Sequence, residues 1–170
     1  MNYLAIFVSR IFDPFVSLTA VFIILMYGSP KFIPAFLGMV ILPLVLFTLA
    51  WKTKFISNWD VSDRKERPKI LWAIVVIEAA SVIIFHVWSL TPIICAIIGF
   101  SIITHFWKMS GHAMGAAYAT GLIIKLFGWG WWPILLIVPL VGWARVVTKN
   151  HTVTQVIAGA FYSWGLVVLL

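Results

Sequence analysis

Long stretches without a charged residue constrain this chain more than any other feature. No charged side chain occurs from Pro14 to Pro30 or from Phe32 to Trp51, and between Ile70 and Trp107 the sole formal charge is Glu78. A bilayer's hydrocarbon core takes about 20 predominantly apolar residues per helix, whereas membrane barrels read as short alternating segments. The runs therefore predict transmembrane helices. Composition agrees: of 170 residues 63% are hydrophobic and 10% charged, too little charge to cover a water-soluble domain.

Seven apolar segments follow one another, at about 11–28, 32–51, 70–89, 92–107, 113–127, 131–144 and 153–170. The expected fold is all-α: a polytopic transmembrane helix bundle of six or seven membrane segments in one integral membrane domain, 1–170. The expected location is the cell membrane, multi-pass. Segments 92–107 and 113–127 are the weakest, since some 15 residues at 1.5 Å per residue reach only about 23 Å; they suit thin or partly re-entrant segments. The first run is expected to be retained as a span, because no small-residue cleavage signal follows it. Ten tryptophans, Trp51, Trp59, Trp72, Trp107, Trp129, Trp131 and Trp132 among them, gather near proposed span ends, where aromatic rings anchor helices at the interface. A single cysteine, Cys95, rules out an internal disulfide and is expected to fill space.

The formal charge of +7 does not point to nucleic acid, because the basic residues lie in short stretches beside the membrane runs. Three stretches are unusually polar: 52–69, 108–112 and 145–155. If each intervening pair of runs makes a membrane-crossing hairpin, all three emerge on one face, where they can build a site. That face carries Arg10, Lys52, Lys54, Arg64, Lys65, Arg67, Lys69, Lys108, Arg145 and Lys149, against Lys31 and Lys125 on the other. The positive-inside rule would put it in the cytoplasm. An anion site gathers cations for its own reasons, so the side stays open.

The chemistry of these stretches is that of an anion site. In 145–155, Arg145, Lys149 and His151 sit at a membrane boundary, and a guanidinium suits a phosphoryl group through its bidentate fork. Before the fifth run, Ser110-Gly111-His112 offers backbone N–H groups at a helix start and an imidazole beside them, followed by small residues that permit close packing. In 52–69, a helix from Asp60 to Arg67 would put positions 60, 64 and 67 on one face. Two histidines and several arginines are the inventory for phosphoryl transfer through a phosphohistidine. One imidazole attacks phosphorus and the other protonates the leaving oxygen, while cations and amides hold the equatorial oxygens. No cofactor and no metal is needed. His105, seven residues before His112, is a further candidate for the pocket; Glu78 and His86 fall on one helix face two turns apart, out of contact.

These residues resemble the type 2 phosphatidic acid phosphatase family, or lipid phosphate phosphatases, which is similar to bacterial acid phosphatases and vanadium haloperoxidases and has the motifs KxxxxxxRP, PSGH and SRxxxxxHxxxD. Arg67-Pro68 match the end of the first, Ser110-Gly111-His112 the second, and Arg145 with His151 the third, which leads into Val156-Ile157-Ala158-Gly159. The resemblance implies His151 as nucleophile, His112 as general acid, Arg67 and Arg145 as phosphate ligands, and Ser110 and Gly111 as further donors. It departs at Asp60 for the lysine, Met109 for the proline, Ala144 for the serine and Gln155 for the aspartate that orients the nucleophilic histidine. Arg64 is the candidate substitute for the lysine. Gln155 can accept a hydrogen bond from an imidazole N–H and set the tautomer, but it brings no charge to stabilise an imidazolium.

The activity this implies is metal-independent hydrolysis of a lipid phosphomonoester or an isoprenyl diphosphate. The expected partners are the bilayer and a membrane lipid with a phosphate or diphosphate head, with a homo-oligomer left open. Gln155 and Asp60 keep an alternative in view, a non-hydrolytic lipid-phosphate binder or transporter of the same fold. Mg²⁺ held by Asp60 and Asp63 on a prenyl diphosphate, and vanadate-dependent oxidation, are weaker readings.

Overall fold

A computed structural model of the protein describes residues 2–169, and every regular element among them is helical. Among the described residues, five helical stretches are long and apolar enough to cross a membrane: Tyr3–Met26, Phe32–Lys52, Arg67–Phe85, Trp88–Phe106 and Trp129–Val147. The chain is a multi-pass integral membrane protein.

The described residues fall into two compact units, one made of the residues up to Val21 together with those from Met109 onward, the other of Phe22–Lys108. In the first unit, α1 (Tyr3–Ile11) breaks at Asp13 before α2 (Pro14–Met26), so the first crossing begins earlier than the apolar run suggests. Asp13 causes the break. Its carbonyl accepts from Ser17 N–H, its Oδ1 accepts from Phe15 N–H at 2.9 Å, and Pro14 takes the first helical position, where no N–H is needed.

Numbered on from the second unit's α3 to α6, the remaining helices of the first are α7 (Gly111–Phe127), α8 (Ile137–Val147), led in by a 3₁₀ stretch Trp129–Leu136, and α9 (Val153–Leu169). The seven residues His112 to Tyr118 are all buried, so protein rather than lipid surrounds the start of α7. That explains its alanines and glycines, with α9 and α8 packed against it. A Cβ at Gly159 of α9 would stand 2.5 Å from the Ser110 carbonyl oxygen; only glycine allows this approach. Ser163 of α9 donates to the Met114 carbonyl at 2.8 Å, a second tie between the same helices.

The second unit holds α3 (Phe32–Phe36), a π-helical turn at Leu37–Ile41, α4 (Leu42–Lys52), α5 (Arg67–Phe85) and α6 (Thr91–Phe106). The π-turn has a cause in Pro43. A proline removes its own N–H and crowds the carbonyl four residues back, so the ladder widens just before it. Gly38, in that turn, lies so close to Ser81 that a Cβ would meet its Oγ at 2.5 Å. α5 packs on both α6 and α4. Glu78 is buried in α5, whereas His86 ends that helix in the left-handed region (φ 51°), exposed, with its carbonyl accepting from Lys31 Nζ. The two share no environment, in line with their expected separation.

Tryptophans at 51, 72, 88, 107, 129, 131 and 132 are exposed and stand at or near helix ends, while Trp59 packs edge-on against Phe47 and Trp51. Cys95 is exposed on α6.

Candidate active site

In the first unit, one end of each of α1, α7, α8 and α9 brings together Ser9, Ser110, His112 and Arg145 with the turn that carries His151. Ser110 has extended backbone (φ −82°, ψ 109°) and caps α7, its Oγ accepting from Ala113 N–H at 3.3 Å. Its own N–H donates to the Gln155 carbonyl at 3.1 Å, which ties the Ser-Gly-His stretch to the first turn of α9. His112 follows in the first turn of α7 and is buried.

Arg145 stands in the last turn of α8 and is 2% exposed. Its Nη1 lies 3.4 Å from His112 Nε2 and 3.4 Å from Ser9 Oγ. A guanidinium only donates, so both partners accept in this arrangement. Asp13 Oδ2 is 4.0 Å from the same His112 nitrogen. His112 Nε2 therefore sits between a guanidinium and a buried carboxylate.

The chain leaves α8 through a Schellman motif. Lys149 adopts the left-handed conformation (φ 57°), its N–H donates to the Val146 carbonyl, and Asn150 N–H donates to the Arg145 carbonyl. His151 N–H reaches that same Arg145 carbonyl at 3.2 Å. Arg145 thus contacts one histidine through its side chain and holds the other through its backbone.

α9 then begins with a capping box. Thr152 Oγ1 accepts from Gln155 N–H at 3.4 Å, and Gln155 Oε1 accepts from Thr152 N–H at 3.2 Å. The same Oε1 lies 3.0 Å from His151 Nδ1. Because the Thr152 amide can only donate, the atom it meets is the amide oxygen, so His151 must carry its proton on Nδ1. In the neutral imidazole Nε2 then carries the lone pair. One side-chain oxygen of Gln155 thus meets the His151 ring and closes the cap of α9.

The first polar stretch belongs to the second unit, and there the helical expectation fails. Helix α5 starts only at Arg67, with Pro68 in its first turn, and residues 60–66 are turns and irregular backbone, Val61 at φ 42°. Side chains take the backbone groups a helix would have used. Asn58 Oδ1 accepts from Ser62 N–H, Asp63 Oδ1 from Lys65 N–H, and Glu66 Oε2 from Ser57 N–H. Arg64 therefore shares no helical face with Arg67, and the ground for making it the lysine's substitute is gone. Its Nη1 donates to the His105 carbonyl; the His105 ring is exposed, against Phe106. Arg67 is buried and its Nε donates to the Val61 carbonyl at 2.8 Å.

Two members of the site escaped the sequence reading, Asp13 and Ser9. Asp13-Pro14 ahead of an apolar run is a helix-start signature, and a carboxylate inside a hydrophobic stretch is a functional signal. The Thr152-Val153-Thr154-Gln155 capping box was legible in the same way.

No family model matches the chain, and no solved structure does. Over 61 residues it is 38% identical to a lipid A 4′-phosphatase of Helicobacter pylori strain J99. That stretch amounts to 35% of this chain and 31% of the relative, a distant and partial relationship to a lipid phosphatase.

Proposed function

We propose that this protein hydrolyses a lipid phosphomonoester or an isoprenyl diphosphate through a phosphohistidine on His151, in one membrane domain spanning the chain. What carries the reading is the doubly engaged Arg145, with its guanidinium on His112 and its carbonyl on the His151 amide. A phosphoryl group held by that guanidinium would have an imidazole supplied from each neighbouring stretch. The partial likeness to a lipid A 4′-phosphatase supports the same class.

In the mechanism, His151 Nε2 attacks phosphorus while Nδ1–H stays on Gln155. The bond from phosphorus to the leaving oxygen breaks, and His112 gives that oxygen its proton. Water then attacks the phosphohistidine, returns a proton to His112, and frees inorganic phosphate. Arg145 neutralises the charge on the equatorial oxygens. Ser110 and the Gly111 amide at the start of α7 supply hydrogen bonds, since a capping hydroxyl that accepts can still donate. The lipid tail stays in the bilayer.

The test is phosphate release by purified protein in detergent with EDTA present. The panel is phosphatidate, lysophosphatidate, phosphatidylglycerophosphate, a sphingoid phosphate, prenyl diphosphates and lipid A. Release that survives EDTA is expected, His151→Ala abolishes it, and His112→Ala lowers it by about 10²–10⁴-fold on a monoester. Turnover by the His151→Ala protein refutes the mechanism. Gln155 favours one second reading, a lipid-phosphate binder that does not hydrolyse: head-group binding with no phosphate released, even by Gln155→Asp, would establish it.

A further inference from the structure

We propose that Asp13 is the positioning residue of His112: it supplies the negative charge that accompanies the proton His112 delivers to the leaving oxygen. The inference rests on the phosphatase reading above and deepens it. Three observations carry it. Asp13 Oδ2 is 4.0 Å from His112 Nε2, and both side chains are buried. Asp13 is fixed, because its Oδ1 and carbonyl are built into the start of α2. Gly115, one turn after His112, packs with its Cα side against Pro14 and Ser17, so α7 and the start of α2 are in close contact at this point.

The placement also accounts for Gln155. A phosphohistidine enzyme must stabilise positive charge on its imidazoles, and where a carboxylate would stand on His151 this chain has a neutral amide. The carboxylate of the unit lies instead against the other histidine. In the arrangement seen, Arg145 Nη1 occupies His112 Nε2 as a donor. A bound phosphoryl group draws the guanidinium to its oxygens, and His112 Nε2 then takes a proton from solvent water, with Asp13 as its counter-charge. When the bond to the leaving oxygen breaks, that proton moves to the oxygen and His112 returns to neutral. Water attacking the phosphohistidine replaces the proton.

A group that serves leaving-group protonation matters in proportion to how poor the leaving group is. Steady-state kinetics of wild type, Asp13→Asn, Asp13→Ser and Asp13→Glu on lysophosphatidate, whose leaving group is an alkoxide, and on p-nitrophenyl phosphate, whose leaving group is stable, separates this from a structural role. Asparagine and serine both keep the cap of α2, and a melting curve in detergent verifies the fold. Asp13→Asn and Asp13→Ser are expected to lower kcat on lysophosphatidate by about 10²-fold. That loss should exceed the loss on p-nitrophenyl phosphate by at least about tenfold, with KM little moved and Asp13→Glu recovering part of it. Equal losses on both substrates, or no loss on lysophosphatidate, in variants that melt like wild type overturn the role of Asp13 and leave the phosphatase reading standing. A folded wild type that releases phosphate from neither substrate removes both.

Discussion

Gln155 shows how one side chain serves two structures. Its oxygen closes the capping box with Thr152 and receives His151 Nδ1–H, so the imidazole's orientation is coupled to the start of α9. Gln155→Glu keeps the reach and the capping box while adding charge next to His151. We expect kcat to rise about tenfold, measured as phosphate release, since a carboxylate gives the imidazolium a counter-charge that a neutral amide does not, and one pKa unit is a factor of ten. Gln155→Leu removes the acceptor from both partners, and melting in detergent should show a loss of about 1 kcal/mol alongside the lost turnover. Arg145 is the other residue with two duties. Arg145→Lys keeps the charge but not the planar fork, and should lower kcat/KM by at least about tenfold with little change in melting.

Helix contact decides whether those residues meet. α7 and α9 approach until the Ser110 carbonyl fills the place of a side chain at Gly159, and Ser110 N–H reaches across to the Gln155 carbonyl. Gly159→Ala forces a Cβ against backbone that cannot turn aside. We expect destabilisation of roughly 1–3 kcal/mol and a larger fall in activity, because the pair would separate at the level of His112 and His151. Gly165→Ala, six residues further on where a Cβ meets nothing within 4 Å, is the contrast. There alanine relieves the helix of a glycine, and a gain of about 0.5–1 kcal/mol in thermal melting is expected.

For the whole molecule, the sidedness of the crossings can be measured within the first unit. The single cysteine, Cys95, gives a cysteine-free background on Cys95→Ser. The stretch Trp129–Val147 is 19 residues of mean hydropathy 1.5, long enough to cross. Reporters made by Trp129→Cys and Lys149→Cys, both exposed positions, should label from opposite sides with an impermeant maleimide in sealed vesicles. Labelling of both from one side would make that stretch re-entrant. The reporter at 149 also tells which side the Arg145–His151 turn faces, which counts of lysine and arginine left open.

The amino-acid sequence by itself determined the all-helical, membrane-spanning class, because uncharged runs of that length have few other ways to satisfy their backbone away from water. It also marked Ser110-Gly111-His112 and Arg145 to Gln155 as polar stretches, since capping residues and charges stand out against apolar runs. It misjudged 60–67, where turn-forming side chains compete for backbone groups that a face count assigns to a helix. Tertiary structure alone decided that His112 meets Arg145 and that Asp13, about a hundred residues away along the chain, stands beside His112. Contacts between distant segments depend on how closely helices can pack, which Gly159 and Gly115 permit but no local pattern announces.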